Sequence, residues 1–386
     1  MGPLAGYRII EIAGLGPAPF TGMMLSDMGA EVLRIDRAGP PGEFPGQDPR
    51  FDVLARGRRS VAVDLKNPEG IETILRLLDQ ADCLIEGFRP GVMERLGLGP
   101  EECQARNPKL VYGRMTGWGQ EGPLAEAAGH DINYIALTGA LHGIGREGGK
   151  PVPPLNLVGD FGGGGMFLAF GMVCGMLEAA KSGQGQIVDA AMVDGASTLM
   201  GLIHGLMSEG NWVDQPASNM LDTGTHYYDT YECADGKFVA VGAIEPKFYQ
   251  ILLEALDLAD DPEMERQHDP AAWPSLKKKF TAAFLTRSRD EWCEILEGSD
   301  ACFAPVLSLA EVPEHHHMKA RDVMVKEGGL VQPAPAPRFS RTTAEIQGPP
   351  VEAGHHTSKT LIDWGFEPET VDRLLADEVV MQSPNE

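Results

Sequence analysis

The chain has 386 residues, 43% of them hydrophobic and 23% charged, and carries a formal net charge of −24. That length supports two domains and a sizeable core, and the composition is that of an ordinary globular protein. The charge argues against nucleic acid or an anionic membrane as the main partner, because a polyanion would have to bind a local basic cluster against the overall field. Six cysteines, at 83, 103, 174, 233, 293 and 302, include no CxxC pair, which fits a reducing compartment rather than a zinc site or a disulfide framework. The opening MGPLAGYRIIEI has no basic-then-apolar leader, and Gly6 breaks the myristoylation pattern. The longest apolar run, 161–177, is short for a bilayer span of about 20 residues and reads as a buried helix. A soluble, cytoplasmic protein is expected.

In chain order, 8–13 (RIIEIA) reads as a strand, followed by a turn at Gly14 and Gly16, a helix to about Met28 and a strand at 31–36 (EVLRID). This βαβ unit invites comparison with the dinucleotide fingerprint. GLGPAP matches only weakly, since Pro19 replaces the third glycine, and a tight strand-to-helix turn is the simpler reading. Strands at 60–65, 81–86 and 109–115 alternate with helices at 68–80 and in pieces to 106, so a parallel sheet flanked by helices is expected. A helix starts near His130, a long apolar helix runs over 166–180, a strand over 186–191 and a second apolar helix over 192–210. The character changes after about Trp212. Two alternating runs, 227–233 and 237–242, flank Asp235-Gly236, a hairpin signal. Pro246 at a first helical position places Glu245 at the N-cap. Further helices cover 274–284, 289–296 and 368–376, with linkers at 332–337 and 348–356. The His315–His317 triplet falls in a polar stretch and reads as solvated histidines rather than a metal site.

Two titratable residues sit beside backbone that looks bent. His130 lies in GHDINY, and Asp160 in NLVGD precedes the run Gly162–Gly165, which lets backbone approach a ligand closely. Histidine and a carboxylate are the two side chains best suited to proton transfer near neutrality, so they form a candidate acid/base pair. The alternatives are a hydrogen-bonded histidine and an N-cap aspartate. Basic residues concentrate early: Arg34, Arg37, Arg56, Arg58, Arg59 and Lys66, then Arg89 and Arg95. Arg37, Lys66 and Arg89 follow successive strands, and ligands of open α/β sheets collect outside the carboxyl ends of strands. A phosphate-rich ligand is therefore expected at that edge. Seventeen methionines, among them Met192, Met200, Met207 and Met220, would suit either a permissive apolar surface or ordinary core filling.

Taken together, GPLAGYRIIEIAG, VLRIDR, VDLK, EGFRPGVMERLGLGPEE, RMTGWGQEGP, GHDINY, PLNLVGDFGGG, VDAAMVDG, YYDTYECADGKFVAVGAIEPKFY, SDACFAPVL and PAPRFSR resemble the α-methylacyl-CoA racemases within the family III CoA-transferase superfamily. The resemblance implies an α/β family III CoA-transferase fold. It has a large Rossmann-like domain over 1–210, a small α+β domain over 220–330 and a segment 331–386 returning to the large domain. It also implies an interlocked homodimer with each active site shared between chains. The activity implied is interconversion of (2R)- and (2S)-2-methylacyl-CoA thioesters by 1,1-proton transfer through an enolate, in fatty acid metabolism. His130 and Asp160 would be the acid/base residues, and Glu245, from the partner chain, would hydrogen-bond the histidine. Arg37, Val63, Asp64, Leu65, Lys66, Gly87, Phe88, Arg89, Arg95, Gly129, Asp131, Ile132, Asn133 and Tyr134 match coenzyme A or substrate contacts. No metal or organic cofactor is expected. A family III CoA-transferase using Asp160 as nucleophile is the alternative enzyme, and a non-catalytic acyl-CoA binding protein the alternative class.

Overall fold

The computed structural model describes residues 2–39 and 48–384. The chain divides into two compact units: the first takes residues up to Thr138, Leu155–Leu199 and everything from Arg321 on, the second Gly139–Pro154 and Met200–Ala320. The large domain expected over 1–210 is thus interrupted. Residues 139–154 group with the second unit because Arg146 ion-pairs with Asp229 and hydrogen-bonds Thr230 there. The single helix expected over 192–210 is two, Met192–Leu199 and Gly201–Ser208, broken at Met200.

Strands β1 (Arg8–Ile12), β2 (Glu31–Arg37), β3 (Arg58–Val63), β4 (Cys83–Glu86), β5 (Val111–Thr116) and β6 (Ile187–Ala191) build the first unit. In the second, β7 (Tyr228–Glu232), β8 (Phe238–Gly242) and β9 (Phe303–Pro305) form an antiparallel sheet, with Gly236 at φ +75° in the β7–β8 turn. The returning chain adds the hairpin β10 (Met324–Glu327) and β11 (Leu330–Pro333), then β12 (Val380–Met381). The main sheet runs β12-β3-β2-β1-β4-β5-β6, parallel except for β12. Order reverses beside β1, which pairs with β2 (Arg8↔Glu31) on one side and β4 (Ile9↔Cys83) on the other. That reversal opens a crevice at the strands' carboxyl ends.

Both sheet faces are covered, as a parallel sheet requires. Ile10, Ile12, Leu33, Ile35, Val61 and Val63 pack with Ile74 and Leu77 of the helix Pro68–Leu78 and with Leu361, Trp364 and Leu374 near the C-terminus. The opposite face packs Ile9, Val32, Ile85 and Val111 against Leu25, Leu168, Met172 and Met176. Residues 357–381 are therefore integral to the first core. The stretch 348–356, expected as a linker, is also fastened to the sheet: Gly57 N–H donates to the Gly348 carbonyl, and Gly354 N–H to Ser60 Oγ.

The helix Met166–Ser182 departs from the buried helix expected. Leu168, Met172 and Met176 are buried, but Met166, Phe170, Cys174 and Leu177 line an exposed face. With the turns before it, Leu157–Ser182 is long and apolar enough to cross a membrane by length and composition alone. It covers the sheet with one side only, which leaves the other apolar side uncovered.

Candidate active site

The basic cluster is partly consumed by the fold. Arg58 pairs with Glu11 and Arg56 with Asp27, all four buried, while Arg34 pairs with Asp36. These guanidiniums serve the fold, since a buried charge persists only when paired. Arg37, Lys66, Arg89 and Arg95 remain exposed. Arg37 ends β2, Lys66 follows β3 and Arg89 follows β4, so three cations sit along the carboxyl edge of adjacent parts of one sheet.

A cleft of about 460 Å³ opens at the crevice beside β1. Its wall takes Leu15–Pro17 after β1, Gly87–Pro90 after β4, Met115–Trp118 at the end of β5, and Ala125 and Ala127–His130 from the following loop; Tyr134, Asp160 and Met192 complete it. It thereby gathers Gly87, Phe88, Arg89, Gly129, His130, Tyr134 and Asp160 of the expected residues. Arg37, Val63, Asp64, Leu65, Lys66, Arg95, Asp131, Ile132 and Asn133 do not line it. Val63 is fully buried in the sheet core, so its side chain is closed to any ligand, and Asp64 Oδ1 accepts from the Lys66 N–H to shape the turn after β3. Of the four methionines singled out, Met192 lines the cleft, whereas Met220 packs into the second unit's core.

His130 is the N-cap residue of the helix Asp131–Leu137 and is exposed; its backbone N–H donates to Asn133 Oδ1 at 3.0 Å. Asn133 therefore anchors the histidine's backbone. Tyr134 reaches back, its hydroxyl donating to the Gly129 carbonyl and its ring meeting Trp118 edge-on with centroids 4.7 Å apart.

Asp160 sits in an unusual element. Residues Leu157–Gly165 form a π-helix that runs directly into the helix Met166–Ser182. Wide helical turns are rare and concentrate at functional sites. Asp131 holds this element in place: its Oδ2 accepts from the N–H groups of Gly159 (2.7 Å) and Asp160 (2.8 Å). Gly159 permits the approach, because a Cβ there would stand 2.5 Å from that oxygen. Asn156 Nδ2 donates to Asp160 Oδ2 at 3.1 Å, and Gly16, at φ +70°, brings the turn after β1 beside the same carboxylate. The Asp160 carboxyl is held above the ordinary carboxylate range, first by burial and then by the Asp131 charge; the Asn156 bond and the His130 charge oppose both.

Glu245 lies in the second unit, exposed, at the start of the helix Pro246–Ala255, and its side chain makes no capping hydrogen bond. Its backbone carbonyl accepts from Phe248 and Tyr249 instead. Residues that sequence reasoning did not single out are Asn156, Trp118 and Glu86, and Gly16 reads in sequence only as a turn glycine. Glu86 is fully buried, accepts from the Phe88 N–H (2.7 Å) and from Arg114, and so sets the loop that presents Arg89. Burial pushes its carboxyl up to about 7 against those partners. A signal existed only for Asn156, four residues before Asp160 and so on one helical face with it.

Comparison with known proteins follows the same lines. The model of CoA-transferase family III matches residues 4–357. The chain is 45% identical to mouse alpha-methylacyl-CoA racemase, over 98% of this chain and 97% of that one, and 43% identical to the human enzyme over the same shares. The crystal structure of Rv3272 from Mycobacterium tuberculosis superposes with a TM-score of 0.75 at 28% identity, covering 92% of this chain and 98% of that one.

Proposed function

The chain belongs to CoA-transferase family III, and from that premise we propose that it is a racemase interconverting (2R)- and (2S)-2-methylacyl-CoA thioesters, with His130 and Asp160 as its two bases. The observation that carries the assignment is that both side chains line one cleft, with burial holding the Asp160 carboxyl above the ordinary carboxylate range. The thioester carbonyl acidifies the α-hydrogen. His130, neutral, takes that proton; the C–H electron pair moves into a planar enolate, and Asp160, protonated, delivers its proton to the opposite face. His130 ends protonated and Asp160 ionised, and the reverse reaction starts from that state. The Asp131 N–H, first in its helix, is the donor we assign to the enolate oxygen, a role typically contributing about 2.7–4 kcal/mol. The direct test is deuterium incorporation at the α-carbon, with inversion, across a panel of 2-methylacyl-CoA thioesters in deuterated water. Exchange of the CoA group onto a free acid in place of inversion would assign the chain to transferase chemistry through Asp160.

Asp131 then has two effects on Asp160: it fixes the backbone and its charge favours the protonated carboxyl. Asp131→Asn retains an acceptor oxygen and removes the charge. In the direction where Asp160 is the base, activity rises as pH rises through its pKa. The variant lowers that pKa, so the acidic limb of kcat/KM moves to lower pH. In the opposite direction the basic limb moves the same way. Limbs that stay in place would limit Asp131 to holding the backbone.

On this reading coenzyme A lies along the basic carboxyl edge. Arg89→Ala is expected to weaken binding of the full thioester about 10- to 100-fold, the value of one charge-assisted contact. The loss should shrink for a pantetheine thioester lacking the 3′,5′-ADP portion, and an equal loss on both substrates would mean Arg89 is structural. We further propose that the working form is an interlocked homodimer in which Glu245 of one chain serves His130 of the other. The exposed apolar side of the helix Met166–Ser182 supports a second copy as the missing cover.

A further inference from the structure

The second unit contains a side-chain cluster that proton transfer does not use. Glu297 is the C-cap residue of the helix Arg289–Leu296, while His315 and His316 join the 3₁₀ turn Val312–Glu314 to the short helix His316–Ala320. One donor atom from each of the three lies within 4.8 Å of the other two. Nε2 of His315 stands 2.7 Å and Nε2 of His316 3.8 Å from the same oxygen, Glu297 Oε1. Ligands held at about 2.1 Å in a tetrahedron stand about 3.4 Å from one another. The two observed separations bracket that value.

His315 is the informative residue. It is not solvated, as its sequence context suggests: its side chain is only 17% exposed. Both ring nitrogens are shut from solvent with no hydrogen-bond partner among the described residues. The approach to Glu297 is close but lacks a hydrogen bond's direction, whereas a plain histidine–glutamate pair would aim its N–H at the carboxylate. Buried polar atoms are nearly always satisfied, and an imidazole nitrogen beside a carboxylate and a second imidazole is placed to ligate. His316 is 76% exposed, so one side of the cluster stays open to a water ligand.

We propose that Glu297, His315 and His316 bind one divalent transition-metal ion of the zinc class. The mixed imidazole–carboxylate set selects against magnesium and calcium, which take oxygen donors. The ion would staple the end of the helix Arg289–Leu296 to the segment that precedes the chain's return to the first unit, a structural rather than a catalytic role.

The test titrates metal-free full-length protein with Co²⁺, following visible ligand-field absorption and calorimetry. One saturable equivalent per chain is expected. His315→Ala and Glu297→Gln should each weaken it by about 100-fold or more, while His317→Ala leaves it unchanged. Zn²⁺ should raise the thermal midpoint of the wild type but not of His315→Ala. An acidic chain also gathers cations diffusely. Absence of a saturable equivalent, or an equivalent that survives the double variant His315→Ala/His316→Ala, overturns the site; the wild-type titration decides the first point whether or not a variant folds.

Discussion

His130→Ala and Asp160→Ala each lose inversion of a 2-methylacyl-CoA thioester by about 10³-fold or more, while thioester binding stays close to wild type. A positioned acid or base contributes about 10²–10⁴-fold, and inversion needs one on each face, so removing either stops the reaction. The two variants differ in what survives. With His130 gone, Asp160 can still remove and return the proton on its own face, so the epimer presenting its α-hydrogen there exchanges deuterium without inverting. With Asp160 gone, the other epimer does so through His130. Complementary, single-epimer exchange is the signature of two bases on opposite faces. Full inversion in either variant, or exchange of the same epimer in both, would overturn the assignment. The cleft supports this reading because the two side chains reach it from separate elements: His130 at the start of the helix Asp131–Leu137, Asp160 in the π-helix held by Asp131.

Glu245 gives the second large effect. As a plain N-cap it would contribute about 1 kcal/mol to stability and nothing to turnover. Its side chain forms no cap bond, although its carbonyl caps the helix. As the partner of His130 it fixes the imidazole tautomer and offsets the charge the ring gains with the proton. Glu245→Gln keeps an acceptor oxygen and removes the charge, so turnover should fall at least about tenfold with thioester binding retained. The proposed dimer sharpens the test. Co-expression of His130→Ala with Glu245→Ala chains yields heterodimers in which one site carries both lesions and the other neither. About half the wild-type activity should return, as two-fold symmetry with shared sites requires. Purified heterodimers without activity would count against a site shared in this way.

Much of the architecture follows from local pattern. Alternating strand and helix periods placed β1, β2, β4, β5 and β6 within two residues, because a buried parallel strand needs a continuous apolar run and its helix an apolar stripe. Asp235-Gly236 marked the β7–β8 hairpin for an equally local reason, the positive φ of its glycine. The short pieces were not legible. β12 exists only because β3 offers it an edge, and the 348–356 stretch is ordered by partners on β3 and before it rather than by its own residues.

The chemistry divides along the same line. Residue types and their neighbours were enough to nominate His130, Asp160 and Arg89, since proton transfer and phosphate binding restrict the choice of side chain. Which other charges were available was a matter of tertiary structure. Arg56 and Arg58 belong to the same early run of basic residues as Arg37, yet their partners Asp27 and Glu11 lie on other elements, and buried pairing removes them from any ligand. Asp131 read as a ligand contact, and the fold adds a task for its carboxylate, which accepts from the Gly159 and Asp160 amides. His315 read as solvated, and packing beside Glu297 shuts its ring nitrogens from solvent. Side-chain chemistry is a property of the residue and can be read in sequence; burial, pairing and the pKa they set are properties of neighbours that only chain folding brings together.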